Sequence, residues 1–326
     1  MTELTAGVIG TGTMGGHHAR VYAEHQAVDL VGVHDADYDR AVSVAEEYGT
    51  AALPLEALLA KADIVSIAVP TEYHYDVASQ VIEAGVHVLI EKPLTEQPSH
   101  GEALVEQAQE KGVVLQVGHI ERFNPAVQCL ADIVPDLDII AIDAHRLGPP
   151  IDRAISDSAV LDLMIHDLDV VCSLVDGDVT EVAATGTEGG EYATATVSFE
   201  GDVVGQFTAS RVTQQKVRKL SITAKECRVN VDYADQTVHI HRRSVPEYVE
   251  KDGDVRFRHE SLVERPTVDN GEPLKREIDA FVEAVREGTD PVVSGRDGLR
   301  ALSLARQIDD LASGSEKQAV VSLGQD

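Results

Sequence analysis

Two groups of residues have the types and spacing to move a proton. Asp162, His166 and Asp169 recur at i, i+4 and i+7. On a helix that spacing lines one face. A histidine beside a carboxylate gains proton affinity and a fixed orientation, which suits a general base. The neighbouring Leu161, Met164, Ile165, Leu168 and Val171 are apolar, so the helix packs by one stripe and carries Asp-His-Asp along its edge. The alternative is a solvated polar face. The second group is a single cation, Lys92, set between Glu91 and Pro93 at the end of an apolar run. Proline at 93 biases residue 92 to an extended backbone and so fixes where the amine points. Such a lysine is able to hydrogen-bond a substrate hydroxyl and polarise it. Otherwise it is a solvated lysine at a strand end.

What must hold these groups begins at the N-terminus. Ala6 to Gly16 reads A-G-V-I-G-T-G-T-M-G-G, an apolar strand, a turn carrying Gly10, Gly12 and Gly15, and a helix. In a G-x-G-x-x-G turn the first glycine permits the tight bend, the second lets backbone approach a diphosphate, and the third lets helix pack on strand. The diphosphate rests on the free N–H groups of the helix N-terminus. The next apolar run, Leu30 to His34, ends at Asp35, where a carboxylate is able to accept from adenosine ribose hydroxyls. These features predict a dinucleotide site. Asp35 also repels a 2′-phosphate, by about 1–4 kcal/mol at about 4 Å, so NAD is favoured over NADP. Arg40 lies nearby, outnumbered by Asp35, Asp37 and Asp39.

Residues 5 to 120 alternate strand and helix, the rhythm of a parallel, doubly wound sheet. Val113 to Val117 is expected as its sixth strand. Gly10, Asp35, Pro70, Lys92 and His119 fall at the carboxyl ends of strands, where such sheets bind ligands. Beyond about residue 121 the pattern changes. Ala126 to Leu137 is expected to hold a connecting helix and Leu161 to Val175 a strongly apolar one. Runs of β-type sequence between residues 139 and 258 indicate a largely antiparallel sheet, with Asp252-Gly253 as a hairpin turn. Two amphipathic helices close the chain. The fold class expected is α/β: a Rossmann domain over 1–121, then an α+β domain with an open, largely antiparallel sheet over 122–326 that binds substrate and joins subunits.

Composition bounds the partners. The 326 residues carry 56 acidic and 27 basic side chains, a net charge of −29. Nucleic acid is an unsuitable partner for such a surface. No apolar run approaches the ~20 residues of a membrane span, and no signal peptide is evident. Cys129, Cys172 and Cys227 form no C-x-x-C pair and read as reduced, buried thiols of a cytoplasmic protein. The acidity, with nine lysines against eighteen arginines, suggests a halophilic source, since molar salt screens self-repulsion. No metal is expected: His17 and His18 cannot both face one ion, and His239 and His241 have no third ligand nearby. Arginines are scarce, and Arg122, Arg146, Arg153 and Arg211 sit after strands where a fork holds phosphate or carboxylate. Salt bridges to the abundant acids are the alternative.

Taken together, Gly10–Gly15, Glu91-Lys92-Pro93 and Asp162…His166 resemble the Gfo/Idh/MocA family of oxidoreductases over essentially the whole chain. The resemblance implies oxidation of a sugar or cyclitol hydroxyl by a nicotinamide, with Lys92, Asp162 and His166 as the catalytic group. G-H-I-E-R-F-N-P (118–125) and L-D-L-M-I-H-D-L-D (161–169) resemble the branch acting on UDP-sugars such as UDP-N-acetylglucosamine. The cofactor-binding set expected is Gly10, Gly12, Thr13, Met14, Gly15, Asp35, Pro70, Thr71, His74, Glu91 and Lys92. The substrate set is His119, Arg122, Asn124, Arg146, Arg153, Asp162, His166 and Arg211. Alternatives are a myo-inositol or free aldose dehydrogenase, and a non-catalytic NAD-binding regulator. A homodimer or homotetramer is expected.

Overall fold

The computed structural model describes residues 4–150, 157–243, 247–251, 254–258 and 260–314. Arg153 and the Asp252-Gly253 turn lie outside these residues. The chain forms two compact units, one of residues 1–123 with 272–303, the other of 124–271 with 304–326. The boundary expected at 121/122 follows chain order; this division sends a C-terminal stretch back to the first unit.

In the first unit the elements alternate: β1 (Leu4–Ile9), α1 (Thr13–Glu24), β2 (Val28–His34), α2 (Tyr38–Tyr48), α3 (Leu55–Leu59), β3 (Ile64–Ile67), α4 (His74–Glu83), β4 (His87–Glu91), α5 (Pro98–Lys111) and β5 (Leu115–Gly118). All ladders are parallel, in the order β2-β1-β3-β4-β5. The sheet therefore has five strands, and the run expected as the sixth is β5. At the edge beyond β2, Ala52 makes only an isolated bridge to Val33. Strand side chains alternate between two apolar layers. Val65, Ile67, Val88 and Ile90 enter one, Ile64 and Leu89 the other. Burial on both sides explains why these strands read as continuous apolar runs. The strand order reverses between β1 and β3, and ligands of such sheets bind at that point.

The second unit contains α6 (Pro125–Gln128), β6 (Ile139–Leu147) and α7 (Ile165–Leu174), followed by β7 (Val179–Gly186), β8 (Tyr192–Phe199), β9 (Val203–Ser210), β10 (Val217–Ala224), β11 (Cys227–Asp232), β12 (Thr237–Arg243), the hairpin β13 (Glu247–Lys251) and β14 (Asp254–Arg258), and β15 (Ser261–Glu264). Eight strands form one sheet in the order β15-β12-β11-β10-β6-β9-β8-β7. Its ladders are antiparallel except β6 with β9. The connecting helix expected over 126–137 shrinks to α6 and two 3₁₀ turns, since Pro135 interrupts the segment. Two helices follow, α8 (Pro273–Glu287) and α9 (Gly295–Ser313). Leu274, Ile278, Phe281 and Val282 of α8 join Ala6, Val8, Tyr22 and Leu89 in one core of the first unit. That shared burial is why 272–303 belongs to it. Among the described residues no helix is long and apolar enough to cross a membrane. Cys172 and Cys227 are buried free thiols, but Cys129 is only half-buried.

Candidate active site

The turn after β1 is built for an anion. Gly10 has φ +89°, and a Cβ there would meet the Ala68 carbonyl oxygen at 2.6 Å. A Cβ on Gly15 would lie 1.7 Å from the Gly10 oxygen, so only glycine lets α1 approach β1. Around Gly12, by contrast, there is open space out to 4 Å. Gly12 is the N-cap of α1 and supplies no side-chain acceptor, and the first turn carries no acidic residue. The first-turn N–H groups, including those of Thr13 and Met14, thus meet no side-chain cap. This cradle fits a dinucleotide diphosphate.

Asp35, just past β2, closes the same turn. Its Oδ2 accepts from the Thr11 backbone N–H at 2.6 Å and the Thr11 hydroxyl at 2.9 Å. Its Oδ1 accepts from the Asp37 N–H and from Arg40, both at 2.8 Å. Burial works to raise its pKa, but Arg40 and the Thr11 and Asp37 donors outweigh it and hold the group down to about 2. The carboxylate is ionised, with about four lone-pair sites all engaged. A ribose hydroxyl must therefore displace one of these donors, and Arg40 is the exposed one.

Lys92 follows β4 and is joined to Pro93 by a cis peptide. Around it the first unit gathers polar groups that the sequence did not connect. Glu91 Oε1 lies 2.9 Å from His18 Nε2, and Oε2 accepts from the Lys92 backbone N–H at 3.3 Å. His18 Nδ1 lies 3.0 Å from the Ser66 hydroxyl, which lies 2.9 Å from the Tyr22 hydroxyl. Ligand atoms of His18, Glu91 and Glu277 lie within 4.8 Å of one another. Burial opposes ionisation of Glu91, yet His18 and Lys92 bring its pKa below the usual carboxylate value. Two further predicted residues are internal. His74 is buried and places its ring nitrogens 2.8 Å from the Pro93 carbonyl and 3.0 Å from that of Val69, tying the lysine's turn to the end of β3. Burial is also what keeps its pKa low. Pro70 and Thr71 begin the 3₁₀ turn that enters α4. His119 is wholly buried, and burial, then the charges of Lys92 and Arg122, hold its pKa down to about 3. It is a neutral interior group at a position expected from the sequence to contact substrate. Arg122 remains half-exposed, one amine 3.4 Å from the Val292 carbonyl.

In the second unit, the Asp-His-Asp helix begins as a π-helical turn, Val160–Met164, and continues as α7. Such turns recur at functional sites. Asp162 and His166 are half-buried, whereas Asp169 is 2% exposed, so the three do not form a solvated face. Arg211, after β9, sets Nε 3.6 Å from Asp162 Oδ2 and donates to the Asp157 carbonyl. It therefore stands beside the candidate catalytic carboxylate. Arg146, expected as a phosphate fork, meets a carboxylate within its own unit. It is 4% exposed and donates through Nε and Nη2 to Asp167 Oδ2 and Oδ1 at 2.8 and 2.9 Å. The Tyr233 ring centroid is 5.2 Å from its Cζ. Asn124 is likewise structural: it caps α6 through Oδ1 and donates to the Tyr233 carbonyl at 3.0 Å. Asp167 was missed because its partner lies on β6, while the spacing rule looks only along one helix.

Residues 4–119 match the model of an oxidoreductase family with an NAD-binding Rossmann fold, and residues 142–230 match the Gfo/Idh/MocA C-terminal domain. A UDP-N-acetylglucosamine 3-dehydrogenase of Acidithiobacillus ferrooxidans is 35% identical over 316 residues, covering 94% of this chain and 97% of that one. The chain belongs to the Gfo/Idh/MocA family of oxidoreductases. A solved structure of the A. ferrooxidans enzyme superposes with a TM-score of 0.88, at 34% identity, over 96% of this chain and 99% of its own. An inositol 2-dehydrogenase of Rhizobium meliloti is 28% identical, covering 92% of this chain and 94% of that one. This family member is an oxidoreductase of the class that acts on CH–OH groups.

Proposed function

We propose that the protein oxidises a hydroxyl of a UDP-linked sugar, with UDP-N-acetylglucosamine at carbon 3 as the favoured substrate and NAD as the cofactor. The observation that carries the substrate is the 35% identity, spread over 94% of the chain, to the enzyme with that activity. NAD over NADP rests on the ionised Asp35. Gly12 to Gly15 hold the diphosphate, Asp35 faces the adenosine ribose, and Pro70, Thr71 and Glu91 complete the cofactor side. The bound nicotinamide supplies a hydride acceptor. His166 takes the hydroxyl proton, oriented by Asp162, beside which Arg211 stands. Lys92 donates to the same oxygen and stabilises negative charge there. Arg122 serves the substrate diphosphate. Arg146 is left out of that set because Asp167 engages it.

The test is absorbance of reduced nicotinamide with NAD and UDP-N-acetylglucosamine, UDP-glucose, myo-inositol, glucose or xylose, in high KCl. Reduction with a UDP-sugar alone is expected. Reduction with myo-inositol or a free aldose instead would favour the reading that the R. meliloti relative supports. His166→Ala is expected to bind NAD normally and lose about 10²–10⁴-fold in turnover. Near-normal turnover in that variant removes His166 as the base. We further propose a cytoplasmic, halophilic enzyme assembled from two or four copies. Ile140, Tyr192, Leu262 and Val263, large apolar side chains exposed in the second unit, support the assembly, and sedimentation measures it.

A further inference from the structure

Arg40 is placed against the preference of its own helix. It stands in the first turn of α2, where the dipole favours acids such as the N-cap Asp37 and Asp39. Its backbone N–H meets Asp37 Oδ1 at 3.3 Å, and its guanidinium turns back to Asp35 Oδ1 at 2.8 Å. The attraction that holds the cation there comes from Asp35 first and from Asp37 after it. The four donors on Asp35 are not alike. The N–H groups of Thr11 and Asp37 belong to the backbone, and the Thr11 hydroxyl is on a residue only 3% exposed. The Arg40 side chain is 50% exposed, against 7% for that of Asp35. One donor therefore rides on a long, flexible, solvent-facing stem, and it covers a carboxylate that water hardly reaches. A ribose diol brought to this carboxylate finds its accepting positions filled.

We propose that Arg40 is an internal competitor for the adenosine ribose: its guanidinium holds the Asp35 oxygen that the 2′-hydroxyl needs, and it swings out as the dinucleotide seats. The inference rests on the cofactor reading above, with Asp35 facing the ribose. It concerns binding alone, so a protein that binds NAD and oxidises none of the sugars still answers the question. An ion pair with one exposed partner shifts an equilibrium by about two- to fivefold. In the wild type the 2′-hydroxyl therefore contributes less to affinity than an uncovered carboxylate would give it, by about that factor.

The experiment is titration calorimetry of NAD and of its 2′-deoxyadenosine analogue, on the wild type and on Arg40→Met. Methionine keeps an apolar stem and the backbone N–H that Asp37 caps, and removes the guanidinium. The two ligands carry the same charge, so the loss of a positive charge from the protein cancels in the ratio of their Kd values. That ratio is the penalty for deleting the hydroxyl, and it decides the matter whatever the absolute affinities. The penalty is expected to be at least twofold larger in Arg40→Met than in the wild type. Arg40→Ala repeats the comparison with a stronger helix former should the methionine variant fold poorly. A penalty that is equal or smaller in the variant overturns the proposal and leaves Asp35 at the ribose. No penalty in either protein overturns it as well, and with it the contact between Asp35 and the ribose on which it rests.

Discussion

Asp167→Asn tests the electrostatics behind the candidate base. The change is nearly isosteric but leaves the Arg146 guanidinium charged in a place where it is only 4% exposed. Breaking a buried pair by removing one partner costs about 3–5 kcal/mol. Two features lower that figure. The asparagine carbonyl is able to keep one of the two bonds at 2.8 and 2.9 Å. The Tyr233 ring, 5.2 Å away, faces the cation and offsets about 0.5–2 kcal/mol. The expected net loss is about 2–4 kcal/mol. In a unit of the size that holds this pair each kcal/mol moves the midpoint by about 2–4 °C, so calorimetry should find that unit's midpoint lower by about 5–15 °C. The double variant Arg146→Met with Asp167→Leu removes both charges and should recover most of the loss, because apolar replacements of buried pairs are often neutral. A loss under about 1 kcal/mol in Asp167→Asn would mean that the guanidinium finds water, and would refute the account of a sealed ion pair.

Three other outcomes are expected. Asp35→Asn removes about 1–4 kcal/mol of repulsion towards a 2′-phosphate and should raise kcat/KM for NADP relative to NAD at least about fivefold; a change below twofold takes Asp35 out of cofactor choice. His119 stays neutral in the folded chain down to about 3, while an unfolded histidine protonates near 6.5. Between those values the unfolded state binds the extra proton, so stability falls as pH falls, and from pH 7 to 5 the wild type should lose about 2 kcal/mol more than His119→Gln; parallel denaturation curves would contradict this. With a net charge of −29, the thermal midpoint should rise between about 0.1 and 2 M KCl; a flat response argues against a halophilic design.

How far the sequence led depends on the range of each interaction. Gly10, Gly12 and Gly15 act within one turn, and strand ends at Asp35 and Lys92 follow from short apolar runs, so the Rossmann unit was readable. The antiparallel sheet was readable because its strands follow one another at short spacing. The partners of Arg146 and Asn124, Asp167 and Tyr233, were not legible because they lie far away in the chain. His18 was weighed only as a metal ligand beside His17, since Glu91 is 73 residues away. One signal was available: Ser66 is a polar residue in the otherwise apolar I-V-S-I-A-V, and a buried hydroxyl there needs a partner. Strand number was one too high: four strands, β1 to β4, precede the run expected as the sixth, and near Ala52 the chain makes only an isolated bridge.

The return of residues 272–303 to the first unit has a consequence for how the chain is made. On the ribosome, residues 1–123 emerge well before α8, and domains ordinarily fold as they emerge. Here the layer around Ala6, Val8 and Leu89, covered in part by Ala19 and Tyr22 of α1 and Ala41 and Ala45 of α2, is completed only when Leu274, Ile278 and Phe281 arrive. The nascent Rossmann half must therefore wait, sticky and incomplete, while the intervening 148 residues of 124–271 are synthesised. A gene cut after residue 123 should yield an aggregating fragment, and co-expressed α8 should rescue it.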